Sequence, residues 1–292
     1  MNRVALSGAS GFLGKAVTRQ LVSAGVEVNA IVRSTSDTEG LEGTNVLVHG
    51  GTTESMVDLF AASRPEVVLH LAALYVKDHS PNDVDHLIAA NVAFCAQVAE
   101  AAAVTSETKG MVITGTAFQH FESDQYRPLS LYAATKQACE DLAGYYEDAG
   151  QLAVARLRIY DVYGPNDDRP KFTKAIHEAQ RSGAPLGLPA EDVFMHLIHV
   201  DDIARAVIHA AELTLSDPAS LRNQAFALRG ETALTLAQIV TVWEKASGAP
   251  VPVAVGAYEL GARSIRQPWQ GTVLPGWSPQ IDLEDGLRQL LS

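Results

Sequence analysis

The stretch Val4-Ala5-Leu6-Ser7-Gly8-Ala9-Ser10-Gly11-Phe12-Leu13-Gly14 decides the fold. Residues 4–6 read as a short apolar strand, and Leu13, Val17 and Leu21 recur at helical spacing up to a stop at Gly25. Between strand and helix lies G-x-x-G-x-x-G. Glycines so placed permit a tight turn, a close backbone approach to a diphosphate and close helix–sheet contact, with the helix N-terminus facing the anion. Gly8, Ser10, Gly11, Phe12, Leu13 and Gly14 are therefore the candidate cofactor loop.

Outward from this turn, apolar runs at residues 26–32, 46–48, 66–71, 111–114 and 153–159 alternate with helical patterns near 55–62 and 84–103 and from Tyr132 towards Tyr146. The alternation predicts an α/β fold, a Rossmann-type doubly wound parallel sheet. After Tyr163 comes the polar, breaker-rich loop Gly164-Pro165-Asn166-Asp167-Asp168-Arg169-Pro170, followed by short pieces. Residues 203–213 are again helical and 225–228 fit a return to the sheet. The expected organisation is a nucleotide-binding core over 1–163, rejoined by 198–230, and a smaller C-terminal substrate lobe from 164–197 and 231–292.

Hydrophobic residues make up 47% of the 292, enough for a sizeable core. The net charge of −12 argues against a nucleic-acid partner and against a polybasic membrane patch. No long apolar span is read, so no membrane association and a cytoplasmic location are expected. Cys95 and Cys139 lack metal or redox spacing and read as buried thiols, with no disulfide framework. His177, His196 and His209 lack ligand spacing, and no metal site is expected.

The end of the second strand chooses the cofactor. An acidic residue there would bind the adenosine ribose, whereas Arg accommodates a 2′-phosphate. The sequence reads Ile31-Val32-Arg33-Ser34-Thr35, with no carboxylate before Asp37, which favours NADP(H) over NAD(H) through Arg33 and Ser34. Further on, Tyr132-Ala133-Ala134-Thr135-Lys136 places a phenol and an ammonium on one helix face. A cation beside a tyrosine favours the phenolate, so the pair is expected to serve acid–base work at a carbonyl/alcohol centre.

Together these residues resemble the extended short-chain dehydrogenase/reductase family, the NAD-dependent epimerase/dehydratase group. The likeness includes His70-Leu71-Ala72-Ala73, Asn91, Arg158-Ile159-Tyr160-Asp161-Val162-Tyr163-Gly164-Pro165, His199-Val200-Asp201-Asp202 and Leu274-Pro275-Gly276-Trp277. It implies that Thr116, Tyr132 and Lys136 are catalytic: Thr116 bonds the reacting oxygen, Tyr132 exchanges the proton, and Lys136 holds the nicotinamide ribose and lowers the tyrosine pKa. It also implies cofactor contacts from Leu71, Ala72, Ala73, Thr114, Ile159 and Val162. His70 and Asn91 read as packing and backbone-bridging groups, Asp201 and Asp202 as a hinge between lobes. A homodimer through the Tyr132 helix and the helix before it is the family-level expectation.

Three reactions are open to such a site. The 4,6-dehydratase branch follows its catalytic Thr with Asp-Glu, whereas Thr116 is followed by Ala117-Phe118, which argues against elimination. Epimerases usually carry the acidic ribose contact that Arg33 replaces. The stretches Ser130–Ala138 and Tyr163–Lys171 are most similar to nucleotide-sugar 4-ketoreductases of the CDP-abequose synthase type, implying NADPH-dependent reduction of the C4 ketone of an NDP-4-keto-6-deoxyhexose. Lys171, Arg263 and Arg266 are candidates for the substrate diphosphate, since the Arg that many relatives carry is Met195 here. The alternatives are a nucleotide-sugar epimerase, a reductase of a non-nucleotide ketone and a non-catalytic NADP-binding regulator.

Overall fold

The central strands that read as unbroken apolar runs are buried on both faces, as parallel strands between two helical layers must be, whereas the apolar run at 46–48 forms an exposed edge strand. In the computed structural model, which describes residues 1–291, β1 (Arg3–Ser7), β2 (Glu27–Val32), β3 (Asn45–Val48), β4 (Val67–His70), β5 (Gly110–Thr116) and β6 (Ala153–Ile159) alternate with α1 (Phe12–Ser23), α2 (Thr53–Ser63), α3 (Val84–Ile88), α4 (Phe94–Val104) and α5 (Leu131–Asp148). The chain continues through β7 (Asp161–Tyr163), α6 (Phe172–Ser182), β8 (Leu186–Pro189), β9 (Phe194–Met195), β10 (Leu197–His199), α7 (Val200–Ser216) and β11 (Ala225–Leu228). Last come β12 (Leu234–Thr235), α8 (Leu236–Ser247), β13 (Val253–Tyr258) and α9 (Leu283–Arg288). Seven strands form one parallel sheet in the order β11-β6-β5-β4-β1-β2-β3. The order reverses between β1 and β4, and ligands of such sheets bind in the crevice outside the carboxyl ends of those strands.

Successive strand residues point to opposite faces. On one face Val4, Leu6 and Leu69 pack with Leu21 of α1 and Ile203 of α7; on the other Ala5, Val68 and Ile113 pack with Phe60 of α2, Val98 of α4 and Ala143 of α5. The sheet is thus doubly wound, and each such Val, Leu, Ile or Phe side chain contributes roughly 1.5–3 kcal/mol on burial. A third cluster, including Tyr163, Ile176, Leu188, Ile239 and Trp243, gathers α6, α8 and the small pairs β8–β13 and β9–β12.

Three expectations need correction here. The pattern read as one helix over 84–103 begins as a 3-10 turn at Pro81–Asp83 and passes through a π-helical stretch, Ala89–Ala93, before α4. The run Pro81–Val104 is long and apolar enough to cross a membrane by length and composition, contrary to the reading of no such span. Here it packs against α2 and α5 with Leu87, Cys95 and Val98 buried, while Ile88 and Val104 are exposed. The cysteines are buried but are not thiols: Cys95 of α4 and Cys139 of α5 form a disulfide. Alanine-rich α4 lets the helices approach until the two Cα atoms stand 5.8 Å apart, within disulfide reach, although the cysteines are 44 residues apart in sequence.

Asp202 joins α7 to the C-terminal tail. Its carboxylate accepts the Gln280 N–H at 2.8 Å and the Ile281 N–H at 3.1 Å and pairs with Arg205, while its carbonyl accepts Trp277 Nε1–H at 3.2 Å. Asp201 pairs with Arg19 of α1. Asp202→Ala leaves two N–H groups and a guanidinium without their acceptor in a buried place. The expected loss is about 3–5 kcal/mol of unfolding free energy, read from the denaturant midpoint; a loss under about 1 kcal/mol would place the carboxylate outside the fold's essential contacts.

Candidate active site

The glycine turn sits at the sheet's switch point. Gly8 has φ +78°, and a Cβ there would stand 2.6 Å from the Ala72 nitrogen, so the turn lies directly against the Leu71–Ala72 backbone beyond β4. A Cβ on Gly14 would run into the Gly8 carbonyl oxygen and stand 2.7 Å from the Ala9 Cα. Gly11 donates to the Gly8 carbonyl at 3.1 Å and caps α1 with no side-chain bond, leaving the first-turn N–H groups to face the loop. The turn therefore fits a diphosphate, as the sequence suggests. Gly14→Ala is expected to cost about 1–3 kcal/mol or more and to abolish dinucleotide binding, measured by melting temperature and nicotinamide fluorescence titration. Retained binding would show that the loop can relax.

At the end of β2, Arg33 is exposed, and among the described residues its guanidinium has no ion pair or hydrogen bond. Its backbone N–H donates to Ser36 Oγ at 3.1 Å, and its charge helps burial hold His49 below the ordinary imidazole pKa. Asp37, the first carboxylate after β2, accepts the Glu39 N–H at 3.0 Å.

Thr116 ends β5. Its Oγ1 accepts the Phe118 N–H at 3.3 Å, leaving its own proton free to be donated, and its N–H donates to buried Gln119 at 2.8 Å. The Leu129 N–H donates to the Phe118 carbonyl at 2.8 Å, drawing the turn after Thr116 against the residues that lead into α5. Ser130 caps α5, accepting the Ala133 N–H at 3.3 Å, and the helix carries Tyr132 and Lys136 one turn apart. Asn91, in the π-helical stretch, holds the Leu74 N–H at 2.7 Å, the Leu74 carbonyl at 3.0 Å and Thr135 Oγ1 at 3.0 Å. It is the bridging group that the sequence indicates.

The electrostatics of the pair differ from expectation. Desolvation, with Tyr75 adding to it and Arg169 opposing it, pushes the Tyr132 hydroxyl well above its ordinary range. In the protein alone, burial outweighs any help from the ammonium, and the phenol stays protonated. Burial pulls Lys136 down to about 8, with Glu140 one turn on opposing the shift. Lys136 Nζ is buried and has no hydrogen-bond partner among the described residues. A buried ammonium without a hydrogen-bond partner suits the hydroxyls of a bound ribose and the glycine turn suits a diphosphate, so the residues present fit a nicotinamide dinucleotide.

The candidate cations do not converge as free charges. Lys171 pairs with Asp161 at 3.1 Å and lines one small cavity with Met195. Arg266 pairs with Glu191 at 2.8 Å. Arg263 donates to the Leu129 carbonyl at 3.0 Å and to Pro128, and lies 4.9 Å over the Phe121 ring, beside the residues that enter α5.

Sequence reading missed several neighbours. Tyr75 meets Tyr132 edge-on at 5.0 Å, and Arg169 lies 4.5 Å over the Phe12 ring and donates to the Val162 carbonyl at 3.3 Å. Arg169 sits in the breaker-rich loop, whose signal is only that of a turn. His120 stacks on Trp269 at 3.9 Å, and Tyr160 stands edge-on to His196 at 5.2 Å, with its hydroxyl bonded to the Trp269 carbonyl. Burial pulls His196 down to about 4, so it is neutral at pH 7. No sequence pattern marks this aromatic group, because four distant segments meet in it.

Known proteins share this fold. The chain is 26% identical over 240 residues, covering 82% of both proteins, to the CDP-abequose synthase of Yersinia pseudotuberculosis. It is 28% identical over 284 residues, covering 88% of this chain and 70% of the other, to the 2-alkyl-3-oxoalkanoate reductase of Shewanella oneidensis. The Bacillus cereus UDP-glucuronic acid 4-epimerase, solved with UDP-glucuronic acid and NAD, superposes with a TM-score of 0.78 at 19% identity, covering 98% of this chain and 97% of that one. The profile of the NAD dependent epimerase/dehydratase family matches residues 4–220. With its glycine turn, switch point and Tyr132/Lys136 helix all within that match, the chain belongs to the NAD dependent epimerase/dehydratase family.

Proposed function

We propose that the protein reduces the C4 ketone of a nucleotide-linked 4-keto-6-deoxyhexose with NADPH. The observation that carries this reading is Tyr132 and buried Lys136 one turn apart on α5, with Lys136 Nζ lacking a hydrogen-bond partner among the described residues. When bound, NADPH supplies the hydride. Thr116 donates its free O–H to the ketone oxygen, and Tyr132 delivers the proton to the alkoxide. Lys136 holds the ribose and compensates the charge left on the phenol. Ala117 and Phe118 offer no acid–base pair for elimination. Arg33, a cation without an ion pair or hydrogen bond to its guanidinium among the described residues, supports NADP(H) over NAD(H). Similarity to the CDP-abequose synthase supports the substrate class. Lys171 is the cation placed to replace the missing arginine, since it shares a cavity with Met195. A homodimer through α4 and α5 belongs to the same reading. The test is nicotinamide absorbance with purified NDP-4-keto-6-deoxyhexoses: sustained NADPH consumption is expected, and none with any of them, from folded protein, would refute the proposal.

A second reading has one specific observation behind it. Lys171 and Arg266 are already neutralised by Asp161 and Glu191, which suits a ketone carrying no diphosphate, as does similarity to the 2-alkyl-3-oxoalkanoate reductase. A Lys171→Ala/Arg266→Ala double variant with unchanged substrate KM would favour it, whereas a raised KM favours the nucleotide sugar.

A further inference from the structure

Outside the residues assigned to reduction, His70, Cys95 and Cys139 form a buried group in which one ligand-type atom of each lies within 4.8 Å of the others. Cys95 follows Asn91 by one helical turn, and Cys139 follows Lys136 by about one turn of α5. Asn91 ties Thr135 to the Leu74 backbone, so the two cysteines cross-link the helices beside the contact that seats Lys136 and the segment after β4. His70 Nδ1 lies 2.8 Å from Ser7 Oγ, directly before the glycine turn, and its Nε2 has no partner among the described residues.

We propose that Cys95 and Cys139 are a reversible redox couple that clamps the catalytic helix, the disulfide form binding the nicotinamide dinucleotide tightly and the dithiol form weakly. Bonded sulfurs sit inside van der Waals contact and two thiols cannot, so reduction in a close-packed core displaces α4 or α5 by on the order of 1 Å. A misplacement of about 1 Å at a site of this kind can cost about 10²-fold. The π-helical stretch Ala89–Ala93, just before Cys95, is the irregular element able to take up the shift.

Both directions balance with small reagents. A dithiol attacks one sulfur, passes through a mixed disulfide and leaves as its own disulfide, having supplied two electrons and two protons to give two cysteine thiols. A peroxide converts one thiol to a sulfenic acid with loss of water; the second thiol condenses with it, releasing a second water and restoring the disulfide. Burial, with the Lys136 charge, pulls His70 down to about 3, so its imidazole is neutral.

The test uses the full chain treated with hydrogen peroxide or dithiothreitol. The fraction of alkylatable thiols is counted by mass spectrometry, and the Kd for NADPH and NADH is read by fluorescence titration. In wild type, Kd is expected to rise about 10-fold or more on reduction, tracking the dithiol fraction, and to recover with peroxide. In Cys95→Ala and Cys139→Ala, Kd should not respond to either reagent. If a variant fails to fold, the wild-type titration still decides. Two alkylatable thiols persisting after peroxide, or a Kd indifferent to full reduction, would overturn the proposal. Neither readout involves a sugar substrate, so this inference fails or stands separately from the proposed reaction.

Discussion

Tyr132→Phe is expected to lower turnover by about 10²–10⁴-fold while leaving the fold and the Kd for NADPH within about twofold of wild type. The substitution removes only the hydroxyl. The ring keeps its edge-on contact with Tyr75 at 5.0 Å, and the protein presents that hydroxyl protonated, above its ordinary pKa. Thr116 remains to donate to the ketone oxygen, so a residual rate should persist. Thr116→Val in the Tyr132→Phe background should then cost much less than Thr116→Val alone, because groups acting on one oxygen are non-additive. Stopped-flow nicotinamide absorbance measures both. Turnover within about threefold of wild type in Tyr132→Phe would remove the residue from the chemistry.

Lys136→Met is expected to abolish turnover and stabilise the apoprotein together. The ammonium is buried, has no hydrogen-bond partner among the described residues and is pulled down from 10.5 to about 8 by desolvation. A lowered lysine pKa means the fold disfavours the charged form. Below pH about 8 the native protein carries the full cost of the buried charge; between about 8 and 10.5 the unfolded chain binds more protons than the native one. Wild-type stability therefore gains from Lys136 as pH rises through that window. The advantage of Lys136→Met, on the order of 3 kcal/mol at neutral pH, should shrink across it. Because the cation serves the reaction, wild-type kcat/KM should fall as pH rises through about 8. Paired denaturant titrations at neutral and alkaline pH check the first statement and a pH–rate profile the second. Lower stability in the variant at pH 7 would show that the ammonium has a partner in the apoprotein.

Local signals made much of the molecule legible. G-x-x-G-x-x-G between an apolar triplet and a helical repeat marks the dinucleotide turn because backbone geometry alone demands those glycines, and the clash awaiting a Cβ on Gly14 bears this out. Strand–helix alternation gives the doubly wound sheet, since fully buried strands must be apolar throughout. What stayed hidden depends on distance in sequence. Cys95 and Cys139 carry no spacing signal, and their bond exists because two helices pack through small residues. The desolvation that holds Tyr132 protonated is a sum over neighbours such as Tyr75, which is 57 positions away, beyond any helical or strand period. The pairing of Lys171 with Asp161 and of Arg266 with Glu191 likewise needs the lobe to be folded.

The central claim, hydride transfer to C4, is tested most directly with NADPH deuterated at the transferred position and a purified NDP-4-keto-6-deoxyhexose. One NADPH oxidised per product, with the deuterium at C4 of a 4-hydroxy sugar, is the predicted result. A sugar inverted at C4 without label or net NADPH consumption would contradict it and assign the site to epimerisation.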